Sequence, residues 1–317
     1  MKVIGGYLEL ELRHGEHYHK NAIRLNSARN CFEYILLARK YKKVYIPFYT
    51  CDVLLQPLWK YKIAYEFYSI NKFLEPTKTI KLLKNEALLY TNYFGLKQKC
   101  VEDLASSYGT QLIIDNAQAF FAPRIESIDT FYSPRKFLGV PDGGYLYTNY
   151  LLNDNFQIDK SYHRIKHLIY RIEKGAEEGY AAFREADDSL TNQPILKMSE
   201  LTERILQSID YEYIKSRRCD NFRFLHNKLG IKNNLSLELS KDSVPMVYPY
   251  YTFNVNLKRK LIQEKIFTAT YWPNVLKWCS NTDMEFVLCN HIIPIPIDQR
   301  YYEKDMERIT EIIKKYE

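Results

Sequence analysis

Short apolar runs alternate with amphipathic stretches through the first half of the chain. Val44-Tyr45-Ile46-Pro47, Ala87-Leu88-Leu89-Tyr90-Thr91 and Gln111-Leu112-Ile113-Ile114-Asp115 are rich in aliphatic residues and end at Pro, Asn or Asp, the pattern of short buried strands. Between them, residues 30–41, 52–60 and 97–108 carry apolar side chains at helical spacing. This alternation predicts an α/β domain with a mainly parallel sheet and helices on its faces. Tyr145-Leu146-Tyr147-Thr148, after Gly143-Gly144, predicts a further strand running against its neighbour. Pockets in such folds open at the carboxyl ends of the strands, so Asp115 stands where ligands bind.

From residue 159 to 190 the pattern turns helical and strongly charged, and a second long helix is expected over 199–229. Neither stretch has an internal proline or turn cluster. The last part mixes short strands (246–255), the segment Thr270-Tyr271-Trp272-Pro273, the apolar run Ile292 to Ile297 and a closing helix over 303–316. Two domains are expected: a large one over 1–195 that begins with an N-terminal arm, and a smaller C-terminal α+β domain over 196–317.

With 317 residues, 46% of them apolar, the chain can bury a substantial core. No segment approaches the roughly 20 uncharged apolar residues that span a bilayer, and Met1 to Tyr7 lacks an apolar signal core. A cytoplasmic location without membrane insertion is expected. The six cysteines are scattered, which argues for reduced thiols rather than a zinc site or a disulfide framework. The seven histidines show no ligand spacing joined to acidic residues, so no metal is assigned. A net charge of +7 without a long basic tract suits an anionic substrate better than nucleic acid.

Neither a G-x-G-x-x-G turn nor a G-x-x-x-x-G-K-[ST] loop is present, so the sheet lacks the usual NAD and ATP signatures. Another phosphate anchor stands at Leu25-Asn26-Ser27-Ala28-Arg29-Asn30-Cys31, directly before the first amphipathic helix, where free amides and the helix dipole favour an anion. Asn26 or Ser27 could instead simply cap that helix. Further on, Lys136 lies just before the turn Asp142-Gly143-Gly144 and downstream of the strand that ends in Asp115.

Taken in order, Ser27-Ala28-Arg29-Asn30, Ile46-Pro47-Phe48-Tyr49-Thr50, Tyr93-Phe94-Gly95, Asp115-x-x-Gln118 and Lys136-x5-Asp142-Gly143-Gly144 resemble the DegT/DnrJ/EryC1/StrS family of sugar aminotransferases. The resemblance implies a fold type I transferase dependent on pyridoxal 5'-phosphate, with a seven-stranded type of sheet in its large domain. It also implies a homodimer with the active site at the subunit interface. The implied reaction moves an amino group from an amino acid, L-glutamate by expectation, to a nucleotide-linked keto sugar for surface polysaccharide or related amino sugars. Other work on the same fold, such as sugar dehydration, and a cofactor-free binding role are the alternatives; the presence of the lysine favours transamination.

The chemistry asks for these residue types. One primary amine must bond the cofactor aldehyde and then move a proton, which only lysine does, and Lys136 is the candidate. A buried carboxylate must keep the ring nitrogen protonated, and Asp115 suits that role. By resemblance, Gln118 contacts the phenolic oxygen, and Ser27, Ala28 and Arg29 form the phosphate loop, with Ala28 and Asn30 departing from the usual side chains. Tyr49 is expected to cover the ring, ahead of Phe48, although the position that aligns most simply with the family's aromatic is Cys51. Phe131 stands where a phosphate-binding serine is common, so Ser133 is its substitute. Lys197 replaces the residue that a partner subunit usually sends to the phosphate. For a substrate diphosphate, Arg184, Arg217, Arg218 and Lys197 are candidates.

Overall fold

A computed structural model describes residues 4–317; the first three residues of the N-terminal arm lie outside that range. Seven strands form the main sheet: β1 (Ile23–Leu25), β2 (Lys43–Pro47), β3 (Ala64–Tyr68), β4 (Glu86–Thr91), β5 (Leu112–Asn116), β6 (Asp129–Tyr132) and β7 (Gly144–Tyr147), in the order β1-β7-β6-β5-β4-β2-β3. β3, β2, β4, β5 and β6 are parallel, whereas β7 runs antiparallel to both β6 and β1. The strands expected near 44–47, 87–91, 111–115 and 145–148 are all present, the last with the expected direction.

Strand periodicity sorts the central side chains onto two faces. Leu88, Tyr90, Leu112 and Ile114 enter the core that also holds Phe120, Met198 and Trp272. Their neighbours Ala87, Leu89 and Ile113 join Cys31, Phe32 and Ile35 from helix α1 (Ala28–Arg39) on the other face. Every residue of β5 is buried, as expected for a parallel strand covered on both sides. The register pairs Thr91 with Asp115 and Asp115 with Phe131, so the carboxyl ends of β4, β5 and β6 form one rim.

Helix α2 (Leu55–Lys60) and α3 (Gln98–Tyr108) follow the expected spans, the first after a 3-10 turn over Asp52–Leu54. The charged stretch from 159 to 190 is two helices, α4 (Lys166–Glu173) and α5 (Ala176–Asp188), because Gly175 takes φ 90 between them and turns the chain back. The stretch from 199 to 229 also divides, into α6 (Glu200–Gln207) and α7 (Tyr211–Leu229). Asp210 accepts a hydrogen bond from the Tyr213 amide, and this cap starts a new helix inside a continuous apolar period.

In the C-terminal part only one strand, β8 (Val247–Tyr251), forms within 246–255, and it pairs antiparallel with β9 (Ile292–Pro296). Helices α8 (Leu257–Gln263), α9 (Val275–Trp278), α10 (Met284–His291) and α11 (Glu303–Tyr316) complete it. Residues of α7, α8 and α11 close a separate core over the two strands.

One close approach links the sheet to α1. The Gly143 amide donates to the Asn26 carbonyl at 2.8 Å, and a Cβ on Gly144 would lie 2.5 Å from the Ser27 carbonyl and 2.7 Å from the Ala28 amide nitrogen. Since those atoms are backbone, Gly144→Ala must displace the start of α1, and we expect a loss of about 2–3 kcal/mol in chemical denaturation. A wild-type midpoint in that variant would show that the two segments separate freely.

Candidate active site

Asp115 is the penultimate residue of β5 and is only 5% exposed. One carboxylate oxygen accepts from the Ala117 amide at 2.8 Å, and the other from the Thr91 hydroxyl at a longer 3.3 Å. Burial pushes the carboxyl up to about 6, against the pull of the Ala117 N–H, the Lys136 ammonium and Thr91. The second oxygen thus has capacity left for a stronger donor.

Lys136 ends the short 3-10 turn Pro134–Lys136 that follows β6, the strand beside β5. Pro134 is buried while Lys136 is exposed, so the turn is anchored and its amine is free. The amine lies 5.7 Å from the centre of the Tyr271 ring. Its charge also acts on Asp115, Cys51 and Tyr271.

Gln118 is buried; its Oε1 accepts from the Phe94 amide at 3.0 Å and its Nε2 has no partner. A buried donor without an acceptor costs roughly 1–3 kcal/mol, so this one calls for a ligand oxygen. At the start of α1, Ser27 does cap the helix: its hydroxyl accepts from the Asn30 amide at 3.1 Å and donates to Asn30 Oδ1 at 2.5 Å. That cap leaves the amides of Ala28 and Arg29 ahead of the first helical bond, which runs from the Cys31 amide to the Ser27 carbonyl. The cap therefore does not exclude an anion at this helix start. Arg29 donates to the Leu190 carbonyl at 2.8 Å, and its Nε is buried without a partner. Ser133 is buried between β6 and the lysine turn.

Tyr49 does not face Lys136. Its ring is buried against Trp272 at 5.2 Å and Tyr93 at 5.6 Å, and its carbonyl accepts from the Tyr93 hydroxyl. The neighbouring Phe48 stacks on Phe67 at 4.7 Å. Beyond Pro47 the backbone directs Tyr49 into the core, where it fills space under the Trp272 indole, and leaves Cys51 beside Lys136 and Arg29. The aromatic ring that meets the amine is instead Tyr271, from the C-terminal part. Sequence reasoning missed it, because Tyr271-Trp272-Pro273 carries no spacing that relates it to Lys136.

Asp142, part of the lysine motif, is fully buried and accepts from the Ser199 amide at 3.1 Å, the Ser199 hydroxyl at 2.9 Å and the Thr202 hydroxyl. It pins the Gly143-Gly144 turn to the start of α6. Arg218 is no receptor for a substrate diphosphate: it is 2% exposed, and it donates to the carbonyls of Met246 at 2.8 Å and Phe137 at 3.1 Å. Arg217 lies over the Tyr302 ring at 4.5 Å, and Arg184 is exposed on α5. Lys197 is exposed on the rim of a cleft of 550 Å³ shared with Leu10, Leu12 and Ile158.

Among the described residues no group of three or more His, Cys, Asp or Glu could hold a metal ion, and no helix is long and apolar enough to cross a membrane. The residues fit pyridoxal phosphate. Asp115 has an unmet oxygen for a ring N–H, Gln118 an orphaned donor for a phenolic oxygen, the start of α1 open amides for a phosphate, and Lys136 a free amine.

The parallel sheet, its antiparallel strand β7 between β1 and β6 and the lysine turn after β6 define the fold type I architecture. Solved structures share it. NtdA from Bacillus subtilis with bound cofactor PMP matches at a TM-score of 0.64 and 15% identity, over 93% of this chain and 73% of that one. A DegT DnrJ EryC1 StrS aminotransferase from Brucella abortus matches at 0.61 and 16%, over 93% and 85%. The sugar aminotransferase CalS13 from Micromonospora echinospora matches at 0.58 and 14%, over 93% and 87%. At such identities the likeness is one of fold. No family model and no curated protein matches the chain.

Proposed function

We propose that this protein is a pyridoxal-phosphate-dependent aminotransferase that passes the amino group of an amino acid, L-glutamate, to a nucleotide-linked keto sugar. The observation that supports the proposal is the placement of Asp115 near the carboxyl end of β5 and of Lys136 on the turn that follows the neighbouring parallel strand β6, with the lysine charge acting on the carboxylate. The fold shared with solved sugar aminotransferases supports it. When bound, the cofactor supplies an electron sink for the carbon being deprotonated.

The chain's own groups do the rest. With the cofactor in place, Lys136 would take the proton from the donor carbon and return it at C4′. Asp115 would hold the ring nitrogen's proton, and Gln118 Nε2 would donate to the phenolic oxygen. The Ala28 and Arg29 amides, with Ser27 and the Ser133 hydroxyl, would receive the phosphate, and the Arg29 guanidinium would add charge. Tyr271 bounds the space beside the amine. The +7 net charge suits a diphosphate-bearing substrate in surface polysaccharide or related amino-sugar synthesis, in the cytoplasm. A homodimer with its active site at the subunit interface belongs to the same reading.

Purified protein mixed with pyridoxal phosphate should develop a visible absorbance band. Adding L-glutamate alone should then abolish the band and release one equivalent of 2-oxoglutarate. A band that forms but does not respond to any amino acid would rule out transamination, and no band at all would rule out the cofactor.

A further inference from the structure

The carbonyl of Phe137, the residue after Lys136, receives two donors from the C-terminal part of the chain. Arg218 Nη2 on α7 reaches it at 3.1 Å, and Gln299 Nε2, from the loop after β9, at 2.9 Å. The Arg218 guanidinium also lies 4.6 Å from the centre of the Phe137 ring, and its other terminal nitrogen holds the Met246 carbonyl. Among the described residues Arg218 makes no ion pair; the nearest acid to influence it, Asp298, is bound to Arg300 at 2.7 Å. Burying an arginine with carbonyl dipoles as its only partners is costly, and a merely structural contact to Phe137 could be made by a neutral donor. A second feature links the two cations: the charges of both Lys136 and Arg218 act on Tyr271, whose ring lies 5.7 Å from the Lys136 amine.

We propose that Arg218, assisted by Gln299, is the positioning residue for Lys136. It clamps the main chain next to the amine in one conformation. This rests on Lys136 being the cofactor lysine. The clamp orients the amine toward the rim formed by β4, β5 and β6. Asp115, Cys51 and Tyr271 are the titratable groups on which the Lys136 ammonium acts. On the far side Arg218 is faced by Asp298, Arg300 and Cys219. A receptor for the carboxylate of the amino donor is the competing role, but the terminal nitrogens are committed to carbonyls and the group is covered.

The test compares Gln299→Leu, Arg218→Lys and Arg218→Met with the wild type. Two measurements apply to each: the rate at which Lys136 in the cofactor-free protein reacts with pyridoxal phosphate, trapped by borohydride and located by mass spectrometry, and the pH midpoint of the visible band. Gln299→Leu removes a donor from a half-buried loop and leaves the charge, so the trapping rate should fall about fivefold to tenfold with an unchanged midpoint. Arg218→Lys cannot span both carbonyls and should also slow trapping while keeping the midpoint. Arg218→Met removes both donors and should slow trapping at least as much as Arg218→Lys, again with an unchanged midpoint. Should Arg218→Met fail to fold, the other two variants decide the matter. Wild-type trapping in Gln299→Leu and Arg218→Lys would overturn the proposal, as would a selective rise in KM for glutamate with normal trapping. Absence of the band in the wild type itself would overturn the cofactor reading, and this one with it.

Discussion

Lys136→Ala should leave a folded protein that forms no visible band with pyridoxal phosphate and turns over at least about a thousandfold more slowly with L-glutamate. Both losses have one origin. The amine is the attachment point and also the group that carries the proton, and general acid–base catalysis by a positioned side chain is worth about 10²–10⁴-fold on its own. Because the side chain is exposed and projects from a turn anchored by Pro134, its truncation should change stability by no more than about 0.5 kcal/mol. Chemical denaturation, the absorbance spectrum and a single-turnover assay check the three parts separately. Full turnover in the variant would remove Lys136 from the mechanism.

Asp115→Asn should have opposite effects on stability and on activity. In the cofactor-free protein, burial raises the carboxyl to about 6, above an unfolded value of about 3.9. The native state therefore favours the protonated form. The stability this confers is fully present below about pH 4 and is lost as the pH rises through about 6, a difference of about 3 kcal/mol by linkage. Asparagine never ionises, so the cofactor-free variant should be more stable than the wild type at pH 8 by up to about 3 kcal/mol, and the gap should close toward pH 4. With cofactor bound the balance turns. The carboxylate gains the ring N–H as a partner, whereas asparagine cannot keep that nitrogen protonated, and the glutamate half-reaction should slow by about a hundredfold or more. Denaturation midpoints across pH and single-turnover rates test the two halves. A variant that is no more stable at pH 8 would show that Asp115 is not desolvated as described, and one that is catalytically unimpaired would remove it from the ring nitrogen.

These two residues could be read from the chain because each is tied to a local pattern. Asp115 ends an aliphatic run, and Lys136 precedes a glycine turn that the buried Asp142 fixes against α6. Strands β1, β3 and β6 left no comparable trace. β1 has three residues, β3 is Ala-Tyr-Glu-Phe-Tyr with a charge in its middle, and β6 is Asp-Thr-Phe-Tyr, buried throughout by its neighbours rather than by its own hydrophobicity. The breaks at Gly175 and Asp210 were hidden for a related reason: apolar spacing continued across both, and only backbone conformation or capping ended the helices.

Tyr49 marks the boundary most clearly. Its position after Pro47 suggested a ring over the cofactor, yet Trp272 and Tyr93 enclose it, and Tyr271 from far along the chain meets the amine. The sequence by itself determined the alternation of strands and helices around β2, β4, β5 and β7, and it singled out Lys136, Asp115 and Gln118 as candidates, because period, turn chemistry and motif spacing act over a few residues. Tertiary structure alone decided what surrounds them: the desolvation that raises Asp115, the tyrosine beside Lys136, and Arg218 and Gln299 on the carbonyl behind it. Those depend on segments more than 80 residues apart in sequence being packed together, and no local pattern encodes which buried group will meet which.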